Sequence, residues 1–327
     1  LHKEYRRQRQ MCIRDSLGLA QADKDGNIIE QAPALGTDFM NAFFHPEEKT
    51  IPEDAVTYYQ YCTGIPTETL LAQTWDVDAV YKAGDIIGSE MEEFGITLWL
   101  APGMNIHRNP LCGRNFENYS EDPLVSGLCA AAETQGVQAH PGVGTTIKHF
   151  ACNNLEDNRA YNNSHVTERA LREIYLRGFE IAVKASQPMS IMSSYNMING
   201  IHAANSEDLL TKVAREEWGF SGIVMTDWGT TAEAKPDLEG RLPLYGCSSA
   251  AACIKAGNDL IMPGSQDDVD EIVASVGAVN GSVTCPLTEE ELRSCAARIL
   301  NIIAKSNMYE NNDGYADALH CTPMELV

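Results

Sequence analysis

Basic residues are scarce in this chain: 24 Lys and Arg stand against 46 Asp and Glu in 327 residues, a formal net charge of −22. A surface so rich in carboxylates repels phosphate backbones and anionic lipid, which argues against nucleic acid and membranes as partners. Long hydrophobic runs are also missing, and no stretch approaches the roughly 20 apolar residues of a membrane span. There is no apolar h-region at the N-terminus, so no secretory signal is visible. The ten cysteines contain no Cys-x-x-Cys pair, and Cys62, Cys112, Cys129 and Cys152 are scattered. Without clustered ligands or a short secreted framework, neither a zinc site nor a disulfide scaffold is expected, and buried reduced thiols in the cytoplasm are the reading. The glycine-rich dinucleotide turn, the phosphate-cradling loop and His-Glu-x-x-His are absent too, so no cofactor or metal is implied.

What is present begins after an anomaly. Residues 1–16 hold Lys3, Arg6, Arg7, Arg9 and Arg14 ahead of an acidic chain, and read as a foreign-looking or disordered segment. From about residue 66, helical and strand patterns alternate. Helices are predicted over residues 76–94, 123–139, 166–185, 206–218 (behind an Asn205 cap), 247–256, 267–279 and 288–306. The last opens Thr288-Glu289-Glu290-Glu291, a capping box. Strands are predicted over residues 95–102, 143–150, 189–195, 222–227 and 258–262, each short, apolar and bounded by Gly or Pro. Such alternation implies a parallel sheet with crossover helices, either doubly wound or a (β/α)8 TIM-type barrel. Polar residues at successive strand ends favour the barrel, whose C-terminal rim carries the site. The expected barrel spans residues 17–306, with its first strands drawn from residues 17–75, missing or irregular; residues 307–327 form an irregular tail.

Three strand ends carry the chemistry. Gly222-Ile223-Val224-Met225-Thr226 ends in Asp227 and Trp228; the two preceding strands end at Lys148-His149 and at Tyr195-Asn196. Arg114 follows a glycine in the loop after the first strand, and Arg159 lies in the loop beyond His149. One carboxylate among fixed cations, an imidazole and a phenol suits polyhydroxylated substrates, because charge-assisted hydrogen bonds hold hydroxyls. The cations also favour an ionised Asp227, as a nucleophile at an anomeric carbon requires. Trp228 offers an apolar platform for a sugar ring. Taken singly, Asp227 reads better as a helix cap, Lys148 as its structural partner and Trp228 as core; the recurrence of such groups on three strand ends reverses that preference and favours the site.

The motifs Leu100-Ala101-Pro102-Gly103-Met104-Asn105-Ile106-His107-Arg108, Gly113-Arg114-Asn115-Phe116-Glu117, Ser120-Glu121-Asp122-Pro123, Lys148-His149-Phe150, Ser194-Tyr195-Asn196 and Glu217-Trp218-Gly219-Phe220 through Asp227-Trp228 resemble glycoside hydrolase family 3, in its β-glucosidase and β-xylosidase branch. The resemblance covers roughly residues 64–305. It implies a TIM-type barrel that hydrolyses terminal non-reducing β-D-glucosyl or xylosyl residues of β-linked oligosaccharides or glycosides by a retaining mechanism. By position, Asp227 resembles the family nucleophile, and Arg114, Lys148, His149, Arg159 and Tyr195 resemble its sugar-holding residues, with Trp228 beside them. The N-acetylglucosaminidase branch is disfavoured, because Ala151-Cys152-Asn153 follows Lys148-His149-Phe150 where that branch has Pro-Gly-His.

The chain departs from the family pattern in several places. The Asp-Gly-Pro segment near the start of the barrel is not found, and its place coincides with the foreign-looking residues 1–16. Asn118 and Leu155 stand where Tyr and Gln are usual. Retaining glycosidases use two carboxyls about 5–5.5 Å apart, and the family's acid/base Glu usually lies in an α/β-sandwich domain that is expected to be missing here. The helix at residues 288–306 resembles the end of members with reversed domain order. Glu117 and Glu121 read as loop-fixing partners of nearby arginines rather than the acid. The alternative is a non-catalytic carbohydrate-binding barrel.

Overall fold

Helices start in this chain where a short polar side chain can take up an orphan backbone N–H, and the predicted starts mostly follow that rule. The computed structural model describes residues 63–232, 247–279, 283 and 285–310, together with three short strands before them. Residues 1–16 and the tail beyond residue 310 lie outside the described residues. The chain divides into two units, Leu1–Ile65 and Pro66–Val327.

In the first unit, β1 (Ala20–Ala22), β2 (Ile28–Gln31) and β3 (Val56–Tyr58) form an antiparallel sheet of order β2-β1-β3. It is a sheet of its own, so the described strands before residue 63 are not the first parallel strands looked for there.

The second unit is built on a parallel sheet. Its strands are β4 (Leu98–Trp99), β5 (Gly144–Phe150), β7 (Ser190–Ser193) and β10 (Ile223–Thr226), in the order β10-β7-β5-β4. Leu260 continues the series through a parallel bridge to Met225. Each strand therefore lies beside the one before it in sequence, which is the order of a (β/α)8 wall; a doubly wound sheet reverses direction at a switch point. Every residue of β5, β7 and β10 is buried, polar ones such as Thr145, Thr146 and Ser190 included, as strands covered on both faces require. A side sheet hangs off the rim: β6 (Asn163–Ser164) pairs with β8 (Met197–Ile198), which forms a hairpin with β9 (Ile201–His202).

The helices that cover the sheet start as cap chemistry predicts. Helix α1 is Glu68–Ala72, and α2 (Val77–Glu93) starts at Asp76, whose carboxylate accepts from Asp78 N and Ala79 N. Helix α3 (Pro123–Val137) starts at Asp122. Two glycines let α2 and α3 touch backbone to backbone: a Cβ at Gly84 would sit 2.2 Å from Glu133 O, and one at Gly136 2.1 Å from Tyr81 O. The continuous helix predicted over residues 166–185 is interrupted. A short turn Glu168–Ala170 passes into a wide-turned segment Leu171–Tyr175, and only then into α4 (Arg177–Ser186). The extra residue, marked by Leu176 N donating to Leu171 O, rephases the helix so that Leu176, Phe179 and Val183 face the core.

The segment Asp208–Glu217 is also wide-turned, and Asn205 does not cap it. Asn205 ends a preceding 3-10 turn and accepts from Cys253 Sγ, while Ser206 Oγ takes the N–H of Leu209. Helices α5 (Ala250–Ala256), α6 (Gln266–Ser275) and α7 (Glu289–Lys305) start at Ser249, Ser265 and Thr288, the last with the predicted capping box. From α7, Ile302 packs with Met192, Ile223 and Met225, so the final helix is part of the core beneath β10.

Candidate active site

Asp227 is the first residue beyond β10, and both sides of it are anchored. Thr226 N donates to Leu260 O at 2.9 Å, Met262 N donates to Thr226 Oγ1 at 2.9 Å, and Gly229 N donates to Met262 O at 2.7 Å. Thr230 Oγ1 donates to the Asp227 carbonyl at 2.9 Å. The side chain is therefore carried on a fixed backbone and is 8 % exposed. Its Oδ2 lies 3.5 Å from His149 Nε2, and it accepts no hydrogen bond among the described residues.

Lys148 and His149 reach the same place from β5. The Asn105 side chain clamps the His149 backbone, donating to its carbonyl and accepting from its N–H, each at 2.9 Å. The carbonyl of Lys148 accepts from Met104 N at 2.8 Å, which ties β5 to the segment after β4. Burial, followed by Arg114, Lys148 and Arg159, pushes the imidazole well below its usual 6.5. His149 is therefore neutral near pH 7 and meets Asp227 as a polar N–H or lone pair, not as a cation.

Arg114 is held at both ends. Its carbonyl accepts from Asn118 Nδ2 at 2.8 Å, and its Nε donates to Glu117 Oε1. Glu117 also faces Lys148, with Oε2 3.3 Å from Nζ. Burial would raise the Glu117 carboxyl, but Lys148 and Arg114 outweigh it and bring the group down to about 2. Asn118, at the position where the family usually has Tyr, joins this scaffold and accepts from Asn105 N at 2.9 Å. Glu117 is thus the loop-fixing partner of Arg114 that the sequence suggests.

Arg159 and Tyr195 close the far side. The Arg159 guanidinium lies 5.0 Å over the Tyr195 ring, and the Tyr195 hydroxyl donates to the Trp228 carbonyl at 2.7 Å. Burial and the neighbouring Asp227 charge both raise the phenol, so it stays protonated. Trp228 is half-buried, with its side chain packed against the cluster of Met192, Ile223, Met225 and Ile302.

The electrostatics of Asp227 differ from the simple expectation. Burial is the largest influence and raises its carboxyl, while Arg114, Arg159 and Lys148, with the Tyr195 hydroxyl nearby, pull it down; the net direction is upward. The cations offset desolvation and do not overcome it. Glu156 escaped the sequence reading. Its Oε2 lies 2.8 Å from Arg159 Nη1 and its Oε1 4.0 Å from Arg114 Nη1. The spacing Glu156 to Arg159 was its one visible signal; Asn105 showed only as part of the motif over residues 100–108 and Asn118 only as a departure from the family pattern. Among the described residues, no group of three or more His, Cys, Asp or Glu is placed to hold a metal ion, and no helix is long and apolar enough to cross a membrane.

Comparison with known proteins adds independent findings. The profile of the glycosyl hydrolase family 3 N-terminal domain matches residues 53–302. Beta-glucosidase B of Emericella nidulans is 44% identical over 248 residues, covering 75% of this chain and 27% of that protein. An exo-alpha-(1->6)-L-arabinopyranosidase of Bifidobacterium breve is 39% identical over 253 residues, covering 77% of this chain and 30% of that protein. The solved structure of beta-glucosidase 3B from Thermotoga neapolitana in complex with glucose superposes with a TM-score of 0.66 at 44% identity, over 82% of this chain and 34% of that one. The chain thus spans about 27% to 30% of the length of these two curated relatives.

Proposed function

Because the chain belongs to glycosyl hydrolase family 3, we propose that it carries the nucleophile side of a retaining glycosidase site acting on terminal non-reducing β-glucosyl or β-xylosyl residues. In this reading an Asp227 oxygen attacks the anomeric carbon as the glycosidic C–O bond breaks, giving a glycosyl ester and an alcohol. Water then attacks the same carbon, releases the sugar with its configuration retained and restores the carboxylate. Arg114, Lys148, His149, Arg159 and Tyr195 hold the ring hydroxyls, and Trp228 borders them.

One observation carries the reading: an anchored carboxylate with an uncommitted Oδ2, 3.5 Å from a neutral imidazole and ringed by three cations. A nucleophile needs a lone pair not already spent on a hydrogen bond, and it needs nearby positive charge to stay ionised in a dry pocket.

The proton for the leaving group has another source. Glu117, held at about 2, carries none at neutral pH. The acid is assigned to the α/β-sandwich domain that the family resemblance implies, outside the described residues. The sugar itself is less constrained, since the arabinopyranosidase relative shares much of this chain. The thiols of Cys112, Cys129, Cys152, Cys253, Cys285 and Cys295, unpaired in the fold, support a reducing, cytoplasmic setting.

The test is covalent labelling. A 2-fluoro glycoside with a dinitrophenolate leaving group needs no acid, so this chain should trap it as an ester on Asp227, located by mass spectrometry. Asp227→Ala should abolish the adduct. An adduct elsewhere, or equal labelling of the Ala variant, refutes the assignment. A second reading, a non-catalytic sugar-binding barrel, draws on the small share of its relatives that the chain spans. It predicts glucose binding with no adduct.

A further inference from the structure

Charged side chains at the rim alternate in sign: Arg159, Glu156, Arg114, Glu117, Lys148. Neighbouring members lie 2.8 Å apart (Arg159 to Glu156), 4.0 Å apart (Glu156 to Arg114), in close contact (Arg114 to Glu117), and 3.3 Å apart (Glu117 to Lys148). They come from three separate stretches of chain: the loop after β4, the end of β5 and the loop beyond it. Glu117 is the only anion of this belt that is fully buried, at 8 % exposure. Each of its oxygens faces a different cation, Oε1 to Arg114 Nε and Oε2 to Lys148 Nζ.

That arrangement has a chemical consequence for Arg114. A guanidinium carries five N–H donors, and Glu117 engages the one on Nε, the inner edge of the fork. Of the terminal nitrogens, Nη1 lies 4.0 Å from Glu156 Oε1. Arg114 and Lys148 are also like charges in a desolvated pocket, where repulsion is poorly screened. Without an anion between them they would separate or turn to the next carboxylate within electrostatic reach, Asp227.

We propose that Glu117 is a positioning residue, which bridges Arg114 and Lys148 so that both cations are preset for sugar hydroxyls and drawn off Asp227, with Glu156 as its counterpart between Arg114 and Arg159. This rests on the sugar-binding reading of Arg114 and Lys148. Glu117 does not touch substrate in this scheme; it sets how tightly sugar binds and the pH at which Asp227 ionises.

The experiment measures the pH dependence of Asp227 labelling by the 2-fluoro glycoside, its inactivation KI, and D-glucose affinity by calorimetry. Glu117→Gln removes the charge and keeps the shape. Loss of one charge-assisted partner predicts a KI and a glucose Kd raised about 10- to 100-fold. The acid limb of labelling should move to lower pH, because the released cations turn to Asp227. A purely structural role for Glu117 would lower stability without moving that limb.

Glu117→Asp keeps the charge and shortens the reach, so it should restore the wild-type limb while sugar binding stays weakened. It also serves if the Gln variant does not fold. A folded Glu117→Gln or Glu117→Asp chain with wild-type KI, glucose affinity and pH profile overturns the proposal. If the wild type binds glucose and forms no adduct, the nucleophile reading fails alone, and Glu117 is judged on glucose affinity. A wild type that does neither overturns both.

Discussion

Asp259 offers the sharpest test of how β10, the strand that leads into Asp227, is supported. Its side chain is fully buried, and it spends both oxygens: Oδ2 accepts from Arg215 Nη2 at 2.7 Å and from Val224 N at 2.8 Å, and Oδ1 accepts from Arg298 Nε at 2.6 Å. One carboxylate thus joins the wide-turned helix, β10 and α7. In Asp259→Ala, two guanidiniums lose their anion, and the N–H of Val224, in the middle of β10, loses its acceptor. Removing one member of a buried ion pair costs about 3–5 kcal/mol, largely because the partner charge is stranded. Arg298 is 27% exposed and recovers some hydration, which keeps the loss inside that range even with a backbone N–H orphaned. For a unit of this size, a loss of about 3–5 kcal/mol corresponds to a fall in Tm of roughly 6–20 °C. Asp259→Asn retains one acceptor and the shape, and should lose roughly half as much. Urea titration followed by circular dichroism gives the free energy, with calorimetry for Tm. An Asp259→Ala chain that loses less than about 1 kcal/mol refutes the reasoning.

Two further predictions concern other parts of the molecule. Gly136→Ala forces a Cβ to within 2.1 Å of Tyr81 O, so α2 and α3 must part; a loss of about 1–3 kcal/mol is expected, and an unchanged urea midpoint would contradict the contact. Acid should destabilise the fold in two steps. The imidazole of His149 is lowered in the fold, so the unfolded chain binds the extra proton and stability falls as pH drops below about 6.5. Glu117 is lowered from 4.5 to about 2, so its contribution is present above pH 4.5 and is lost as pH falls through about 2. His140 works the other way: burial lowers it, but hydrogen bonds to Asp85 and Glu92 together outweigh burial and raise it, so its contribution is full below its unfolded value and fades as pH rises through the folded one. Asp85 and Glu92 are half-exposed, so solvent screens the pair and the acid losses dominate. Denaturant midpoints that stay flat from pH 7 to pH 4 would exclude the buried, neutral His149.

The parts of the fold that sequence made legible are those governed by local chemistry. Thr288 opens its helix with the capping box that the sequence shows, and Asp76, Asp122, Ser249 and Ser265 cap helices whose starts the side-chain pattern alone places within about three residues. The buried strands β5, β7 and β10 announce themselves as apolar runs. What stayed hidden depends on partners distant in sequence. The break at residues 171–175 is set by which side chains reach the core, and the helical pattern of charges gives no sign of it. Asn205 carries cap chemistry, yet Cys253, 48 residues away, takes its oxygen. In the site, strand ends revealed Lys148, His149, Tyr195 and Asp227, because polar groups are conspicuous after apolar runs. The roles of Asn105 and Asn118 are invisible by the same logic: they act on backbone atoms of other segments, and the motif and the departure that draw the eye to them say nothing of those contacts.

The reach of Asp259 also orders events during synthesis. Arg215 precedes it on the growing chain, whereas Arg298 follows 39 residues later. Until that residue leaves the ribosome, the buried carboxylate behind β10 has only one of its two guanidinium partners, although Arg114, Lys148, His149, Arg159, Tyr195, Asp227 and Trp228 have already been translated. The strand that carries Asp227 is thus fastened from behind, and ribosome-held chains cut short before α7 should contain all these residues while β10 is not yet locked.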